Sequence, residues 1–209
     1  METKVPGLYI YPNFISGSLE EELLQEIDKQ IWMVDYSRRL QYYGYRNELE
    51  EPHQLISIPL TIPERIYHLS KNIVSQGLLD LQPDQVIINE YLPGEGIRPH
   101  KDRSYYENQI CGINLGSGCL MRFIKGKNLE TVDIEMPRRS MYIMQDDARK
   151  KWTHGIPPRK KDNINGALMK RERRVSITYR KVKPSNVHKM NPQGKVAEML
   201  IEKFGLYLP

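Results

Sequence analysis

Hydrophobic residues recur along this chain in two rhythms. In the first third they fall at helical spacing. Leu23, Leu24, Ile27 and Ile31 follow Ser18-Leu-Glu-Glu21, which has capping-box spacing, and predict a helix over about residues 19–30. Thr61-Ile-Pro63-Glu64 repeats the signature, and Ile66, Leu69, Ile73 and Val74 mark a second amphipathic helix ending before Gly77. From Gln85 onward the rhythm shortens. Val86–Ile88, Ile110–Leu115, Leu120–Ile124, Thr131–Met136, Met141–Met144 and Val175–Tyr179 are short apolar runs, punctuated by Gly, Pro, Asn or charged residues, and each predicts a strand. Two helices ahead of many short strands predict a mainly β, α+β fold. The expected architecture is a sandwich with supporting N-terminal helices on one side, closed as an eight-stranded double-stranded β-helix, or jelly roll.

The rest of the pattern is less regular. Residues 157–173, with Pro-Pro, Arg-Lys-Lys and Asn-Ile-Asn-Gly, read as a long loop between strands. After Pro184 the chain is polar, then helical around residues 196–204, where Val196, Met199, Leu200 and Phe204 share a face expected to pack back on the core. The division expected is one domain over residues 1–183 and a tail of residues 184–209 carrying a short helix.

Composition narrows the class. A chain of 209 residues can bury roughly 70% of the surface its unfolded form exposes, so one core suffices without covalent staples. Cys111 and Cys119 flank Gly112 to Gly118 with no second cysteine pair, and are expected to be reduced, partly buried thiols. The N-terminal residues have no apolar signal region, and no run approaches the ~18 apolar residues of a membrane span. The expectation is a soluble intracellular protein, cytoplasmic or nuclear, with no membrane partner. The net charge of +5 fits many proteins that never meet nucleic acid, so its distribution matters more than its total.

Chemistry concentrates in three segments. The run Asn89-Glu-Tyr91-Leu-Pro-Gly94-Glu-Gly96-Ile-Arg-Pro-His100-Lys-Asp102 ends in His-x-Asp. A second histidine lies in Trp152-Thr-His154-Gly155, and Arg174-Val-Ser176-Ile-Thr178-Tyr-Arg180 alternates as a half-buried strand does. Residues i and i+2 of a strand face the same way, so His100 and Asp102 can reach one ion, with His154 arriving from another strand. Two imidazoles and a carboxylate are the facial triad of a non-haem Fe(II) oxygenase. Such a triad leaves three positions on the iron, two for 2-oxoglutarate and one for O₂, and an arginine on a later strand can anchor the far carboxylate of 2-oxoglutarate. Taken singly, His-x-Asp and a lone histidine say little. Their order along one chain carries the reading.

The pattern Asn-x-Tyr-x-x-Gly-x-x-Ile-x-x-His-x-Asp, then His, then Arg-x₅-Arg, resembles the AlkB-type Fe(II)/2-oxoglutarate dioxygenases over roughly residues 7–183. The resemblance implies iron at His100, Asp102 and His154. It implies Asn89 and Tyr91 as hydrogen-bond donors to 2-oxoglutarate, Arg174 as the partner of its C5 carboxylate, and Arg180 as the residue ordering the iron-side carboxylates. Ser176 and Thr178 share that strand face and can add hydroxyl contacts. Many family members carry Asn where this chain has Ser176. Ser there resembles the branch acting on the tRNA wobble uridine, as do Arg38-Arg39-Leu-Gln-Tyr42-Tyr-Gly44-Tyr45, Gln82 to Asn89 and Met136-Pro-Arg-Arg-Ser-Met141. That branch usually joins an RNA-recognition module and a methyltransferase to the oxygenase. These 209 residues carry neither, nor the zinc-ligating cysteines found there, which leaves a separate methyltransferase partner open.

The expected function is therefore oxidation of a modified or alkylated base in nucleic acid, tRNA or other RNA first and DNA second. A hydroxylated N-methyl group collapses to formaldehyde, giving demethylation, whereas a hydroxyl on a carbon bonded to carbon persists. Arginines for phosphate and aromatic rings for stacking suit a flipped or single-stranded nucleotide. The candidates are Arg38, Arg39, Tyr43 and Tyr45, with Arg159, Lys160 and Lys161 beside the His154 segment. The alternative is a protein or small-molecule hydroxylase on the same scaffold.

Overall fold

Strand alternation, with one apolar face and one polar, places the site of this protein between two sheets. The computed structural model describes residues 2–35, 38–47, 54–126 and 130–206. Strand β1 (Leu8–Tyr11) leads to helix α1 (Gly17–Asp28), then β2 (Met33–Asp35), β3 (Arg38–Tyr43), β4 (Tyr45–Asn47) and β5 (Leu55–Ser57). Helix α2 (Glu64–Ser75) precedes β6 (Gln85–Tyr91), β7 (Ile97–His100), β8 (Tyr106–Leu115), β9 (Cys119–Lys125), β10 (Glu130–Met136) and β11 (Met141–Met144). The short helix α3 (Asp146–Lys150) is followed by β12 (Trp152–Ile156), the pair β13 (Lys161–Ile164) and β14 (Ala167–Lys170), and the long β15 (Arg174–Val182). Strand β16 (Val187–His188) and helix α4 (Lys195–Phe204) close the chain.

A seven-stranded sheet runs β1-β11-β8-β15-β6-β3-β2, and a four-stranded sheet runs β10-β9-β12-β7. Together they form the double-stranded β-helix that the spacing of strands predicts. The outer face of the large sheet is apolar. Val86 and Ile88, Cys111 and Ile113, and Val175, Ile177 and Tyr179 pack against Leu23 and Ile27 of α1 and Ile66, Leu69 and Ile73 of α2. Between the sheets, Phe123, Met121, Trp152 and Ile156 meet Tyr142, Met144, Ile110 and Tyr91. Met121, Ile156, Tyr142, Ile110 and Tyr91 of this second cluster also border a cavity between the sheets.

Several sequence expectations change. The first helix is capped by Ser16, whose Oγ accepts from the Leu19 amide at 3.1 Å, so the cap lies two residues before Ser18. Helix α2 starts directly after Pro63 without a side-chain cap. Among the described residues, five strands precede Gln85, where the sequence pattern shows only helices. Strand β3 escapes notice because neither of its faces is plainly apolar: one lines a polar cavity, and Arg39 on the other ion-pairs with Glu90. Residues 157–173 are no long loop. They contain the β13–β14 hairpin, turned by Asn165 and Gly166 at φ of 51° and 88°, the two positive values that an Asn-Gly hairpin turn requires. Cys111 and Cys119 are free thiols, both buried and in different clusters. The tail after Lys183 packs back on the body. Strand β16 pairs in parallel with β5, and Val196 and Leu200 of α4 bury against Ile56 and Ile58. Residues 207–209 of that tail lie outside the described residues. Among the described residues, no helix is long and apolar enough to cross a membrane.

Candidate active site

Strand register aligns the functional side chains in rows across the large sheet. Leu40 of β3, Asn89 of β6, Ser176 of β15 and Asn114 of β8 form one row. Tyr91 and Arg174 are directly paired in the next, and Tyr42, Ile87, Thr178, Gly112 and Tyr142 form a row on the other side. Every second residue of each strand faces the same way, so these rows make one wall of a cavity of about 460 Å³. The opposite wall comes from the small sheet, through Ile97, His100, Met121, His154 and Ile156.

His100 and His154 are directly opposite on the antiparallel strands β7 and β12, with ring centroids 4.5 Å apart. His154 sits in the middle of β12, whereas β7 ends at His100, so Asp102 reaches the site from the loop beyond that strand and not from the strand itself. One ligand atom from each of the three residues lies within 4.8 Å of the others. Nδ1 of His100 faces the Arg98 carbonyl at 2.9 Å. A carbonyl only accepts, so Nδ1 carries the proton and Nε2 keeps the lone pair for a metal. Burial pushes the His154 imidazole down to about 4, which keeps it neutral and able to ligate.

Asp102 is held asymmetrically. Arg180 donates from Nε and Nη2 to its Oδ1 at 3.0 and 2.7 Å. Burial alone would raise the carboxyl, but the Arg180 guanidinium beside it outweighs that and holds Asp102 well below the usual carboxylate range. Oδ2 is buried with no hydrogen-bond partner among the described residues, 3.4 Å from His154 Nε2. A bare, ionised oxygen beside two imidazole nitrogens is a donor set that a divalent iron fits.

At the far end of the cavity, Arg174 is 3% exposed and donates through Nη2 to Asn114 Oδ1, while its Nε and Nη1 have no hydrogen-bond partner among the described residues. A buried guanidinium with N–H groups unspent suits a carboxylate, and Arg–carboxylate pairing is strong in such surroundings. Tyr91 packs beneath it with the Arg174 guanidinium 5.2 Å from the ring, and burial raises its phenol so that the hydroxyl stays a donor. Asn89, Ser176 and Thr178 face the same space.

Arg38 reaches the cavity, but the other residues expected to contact substrate do not line it. Arg39 points to the other face of β3, where it pairs with Glu90 and lies 4.8 Å from the Trp32 ring. Tyr43 is buried in the core under α1 and α2, its hydroxyl donating to Gln41. Tyr45 packs against Leu55, Tyr105 and Tyr106. Parity explains the misplacement: on β3 the even-numbered residues face inward, so Tyr42 is the ring at the cavity. Arg159 precedes β13, its charge acting on Asp133 of β10, and Lys160 and Lys161 are exposed at the base of the hairpin. Sequence reasoning misses Asn114, Met121, Tyr142 and Asn47. The alternation that marks β15 carries through Gly-Ile-Asn114-Leu as well, and is the one signal that points to Asn114.

A facial triad between two sheets of a jelly roll, with a buried arginine facing it across the cavity, defines a mononuclear iron dioxygenase that uses 2-oxoglutarate. The chain belongs to the 2OG-Fe(II) oxygenase superfamily, whose family pattern matches residues 38–180, and within it to the AlkB-type enzymes. It is similar to the uncharacterized protein L905 of Acanthamoeba polyphaga mimivirus, at 51% identity over 178 residues, covering 84% of this chain and 85% of that one. It is also similar to the tRNA (carboxymethyluridine(34)-5-O)-methyltransferase alkbh8 of Xenopus tropicalis, at 35% identity over 206 residues. That match covers 86% of this chain and 32% of the frog protein, so the chain spans about a third of that relative. Among solved structures, that of OsALKBH1 superposes with a TM-score of 0.67 at 14% identity, over 86% of this chain and 99% of that one, and has the same fold.

Proposed function

We propose that this dioxygenase oxidises a modified or alkylated base in RNA, with a tRNA wobble-uridine side chain as the first candidate. The observation that carries the reading is the rim of the cavity. Lys101 and Arg103, both exposed, bring two cations to a cavity lined also by Tyr42, Tyr105 and Asn47. Cations for the backbone and aromatic faces for a base are what an extruded nucleotide needs, and a cavity of about 460 Å³ is within the range of small-ligand sites. The similarity to alkbh8, named for a tRNA wobble carboxymethyluridine, supports RNA over DNA. A methyltransferase acting on the same base would then be a separate partner, and the expected compartment is cytoplasmic or nuclear.

His100, Asp102 and His154 would hold Fe(II), which when bound with 2-oxoglutarate and O₂ supplies the oxidising power for C–H hydroxylation. Arg180 keeps Asp102 ionised and turned with Oδ2 to the ion. Arg174 would pair with the C5 carboxylate, with Asn89 and Tyr91 donating to the same cosubstrate and Ser176 and Thr178 adding hydroxyl contacts. The Tyr142, Met121 and Ile110 side chains line the same cavity and would exclude water around the bound cosubstrate.

The test is incubation of the purified protein with Fe(II), 2-oxoglutarate and ascorbate, together with tRNA bearing wobble 5-methoxycarbonylmethyluridine or with an N-methylated oligonucleotide. Nucleosides are read by mass spectrometry after digestion. A gain of one oxygen on the uridine side chain establishes wobble hydroxylation, and loss of a methyl with formaldehyde release establishes demethylation. Succinate formation without either product overturns the nucleic-acid reading and directs the search to protein or small-molecule substrates.

A further inference from the structure

The sequence places Arg38 among the candidates for the substrate backbone, yet its side chain engages a residue of the cosubstrate site. Its Nε donates to Asn89 Oδ1 at 3.1 Å, and its guanidinium lies 5.5 Å from the Tyr91 ring centroid. Arg38 comes two residues before Leu40, which is paired with Asn89, so its side chain reaches diagonally across the strand pair, a distance long side chains span.

A guanidinium has donors only, so the amide atom facing Arg38 must be the oxygen. That settles which way the Asn89 amide is turned: Oδ1 toward β3, and the NH₂ group toward the cavity. Asn89 is only 8% exposed, and its orientation decides whether it offers an acceptor or a donor there. A carboxylate or keto oxygen can use only the donor. We infer that Arg38 is a positioning residue for 2-oxoglutarate, acting through Asn89 by locking the amide in its donor orientation. The inference rests on the proposed role of Asn89 in holding that cosubstrate. It also ties the two ends of the cavity together, because β3 carries Leu40 and Tyr42 to the wall as well.

The experiment measures binding without turnover. Mn(II)-loaded protein is titrated with N-oxalylglycine, an unreactive isostere of 2-oxoglutarate, in Arg38→Met, Arg38→Lys, Asn89→Ala and the Arg38→Met/Asn89→Ala double variant, with no nucleic acid present. Mn(II) affinity and thermal unfolding are recorded for each. Arg38→Met should weaken N-oxalylglycine about tenfold, the scale of one charge-assisted hydrogen bond, with Mn(II) affinity and Tm unchanged. Arg38→Lys, which keeps a donor, should recover part of the loss. In the Asn89→Ala background Arg38→Met should add nothing, the coupling expected of residues that act as one unit.

An undiminished affinity in Arg38→Met, or an Arg38 effect that persists without Asn89, would overturn the inference. An Arg38→Met variant that keeps its N-oxalylglycine affinity but binds single-stranded RNA more weakly in a separate titration would do the same and return Arg38 to the substrate backbone. Unchanged binding in Asn89→Ala would instead overturn the underlying assignment of Asn89, and the inference with it.

Discussion

Arg180 grips one carboxylate oxygen of Asp102 with two N–H groups, while the other oxygen is buried with no hydrogen-bond partner among the described residues. The oxygen proposed to ligate the metal thus belongs to a carboxylate held from behind by a charge 78 residues further along the chain. Replacing Arg180 with Met removes that counter-charge from a buried carboxylate, a change that costs about 3–5 kcal/mol. The metal-free variant should unfold correspondingly earlier in denaturant. Added Mn(II) should restore part of the loss, since the ion supplies the missing positive charge. A stability equal to that of the parent protein would mean that Asp102 is neutral or solvated.

Metal binding should itself stabilise the fold. A ligand that binds only the native state contributes about 2.7 kcal/mol at one hundred times its Kd, and Mn(II) should raise the Tm of the chelator-treated protein accordingly. His100→Ala, Asp102→Ala and His154→Ala should each abolish this shift together with Fe(II)-dependent turnover. A retained shift in any of them would remove that residue from the ligand set.

Arg174→Ala should leave the metal-induced shift intact and raise the KM for 2-oxoglutarate. Leaving a buried carboxylate without its partner costs about 3–5 kcal/mol, or several hundred-fold. Arg174→Lys should recover little, because an ammonium cannot donate to Asn114 and to a carboxylate in the same forked geometry. A KM change under tenfold in steady-state 2-oxoglutarate turnover would place the C5 carboxylate elsewhere.

Gly112→Ala probes the cavity wall itself. A Cβ there would lie 2.2 Å from the Tyr142 ring, which is buried and lines the cavity. The ring must move, at a cost typical of overpacking, about 1–3 kcal/mol. Equilibrium denaturation should register that cost, and turnover should fall with metal binding preserved.

Salt dependence tests the rim. In a single-stranded complex each neutralised phosphate adds about 0.7 to the steepness of log K against log salt. Arg103→Ala should therefore reduce the slope for single-stranded RNA by that amount while leaving the Mn(II) shift unchanged. An unchanged slope would take Arg103 off the nucleic-acid path.

The legible parts of the site are those fixed by short-range geometry. His100 and Asp102 are two residues apart, and Arg174, Ser176, Thr178 and Arg180 share one face by alternation alone, so spacing states their companionship. Asn114, Tyr142 and Met121 join them only through register between strands, which no local pattern records. Tyr42 and Tyr43 show the narrowest failure: both are aromatic neighbours on β3, and only the strand's parity decides which one sees the cavity. The β13–β14 hairpin is written in Asn165-Gly166, but its strands are largely exposed and their apolar residues do not alternate with polar ones, so the turn stands without the flanking signal that would frame it. The first two helices are legible because their apolar stripes meet the sheet directly. The cap of the first is not, because two serines, Ser16 and Ser18, compete for the same place.

Strand β15 presents the arginines and hydroxyls of the site on one face and Val175, Ile177 and Tyr179 to the helices on the other. A single residue inserted between Arg174 and Arg180 would exchange those faces at a stroke, sending guanidinium groups into the oily layer and aliphatic ones into the reaction chamber. Descendants of this gene can therefore experiment freely with length at the hairpin tip and in the surface connections, where an extra residue only lengthens a bulge in solvent. Within the strand they are confined to letter-for-letter change, and the chemistry and the foundation of the molecule have to be inherited together.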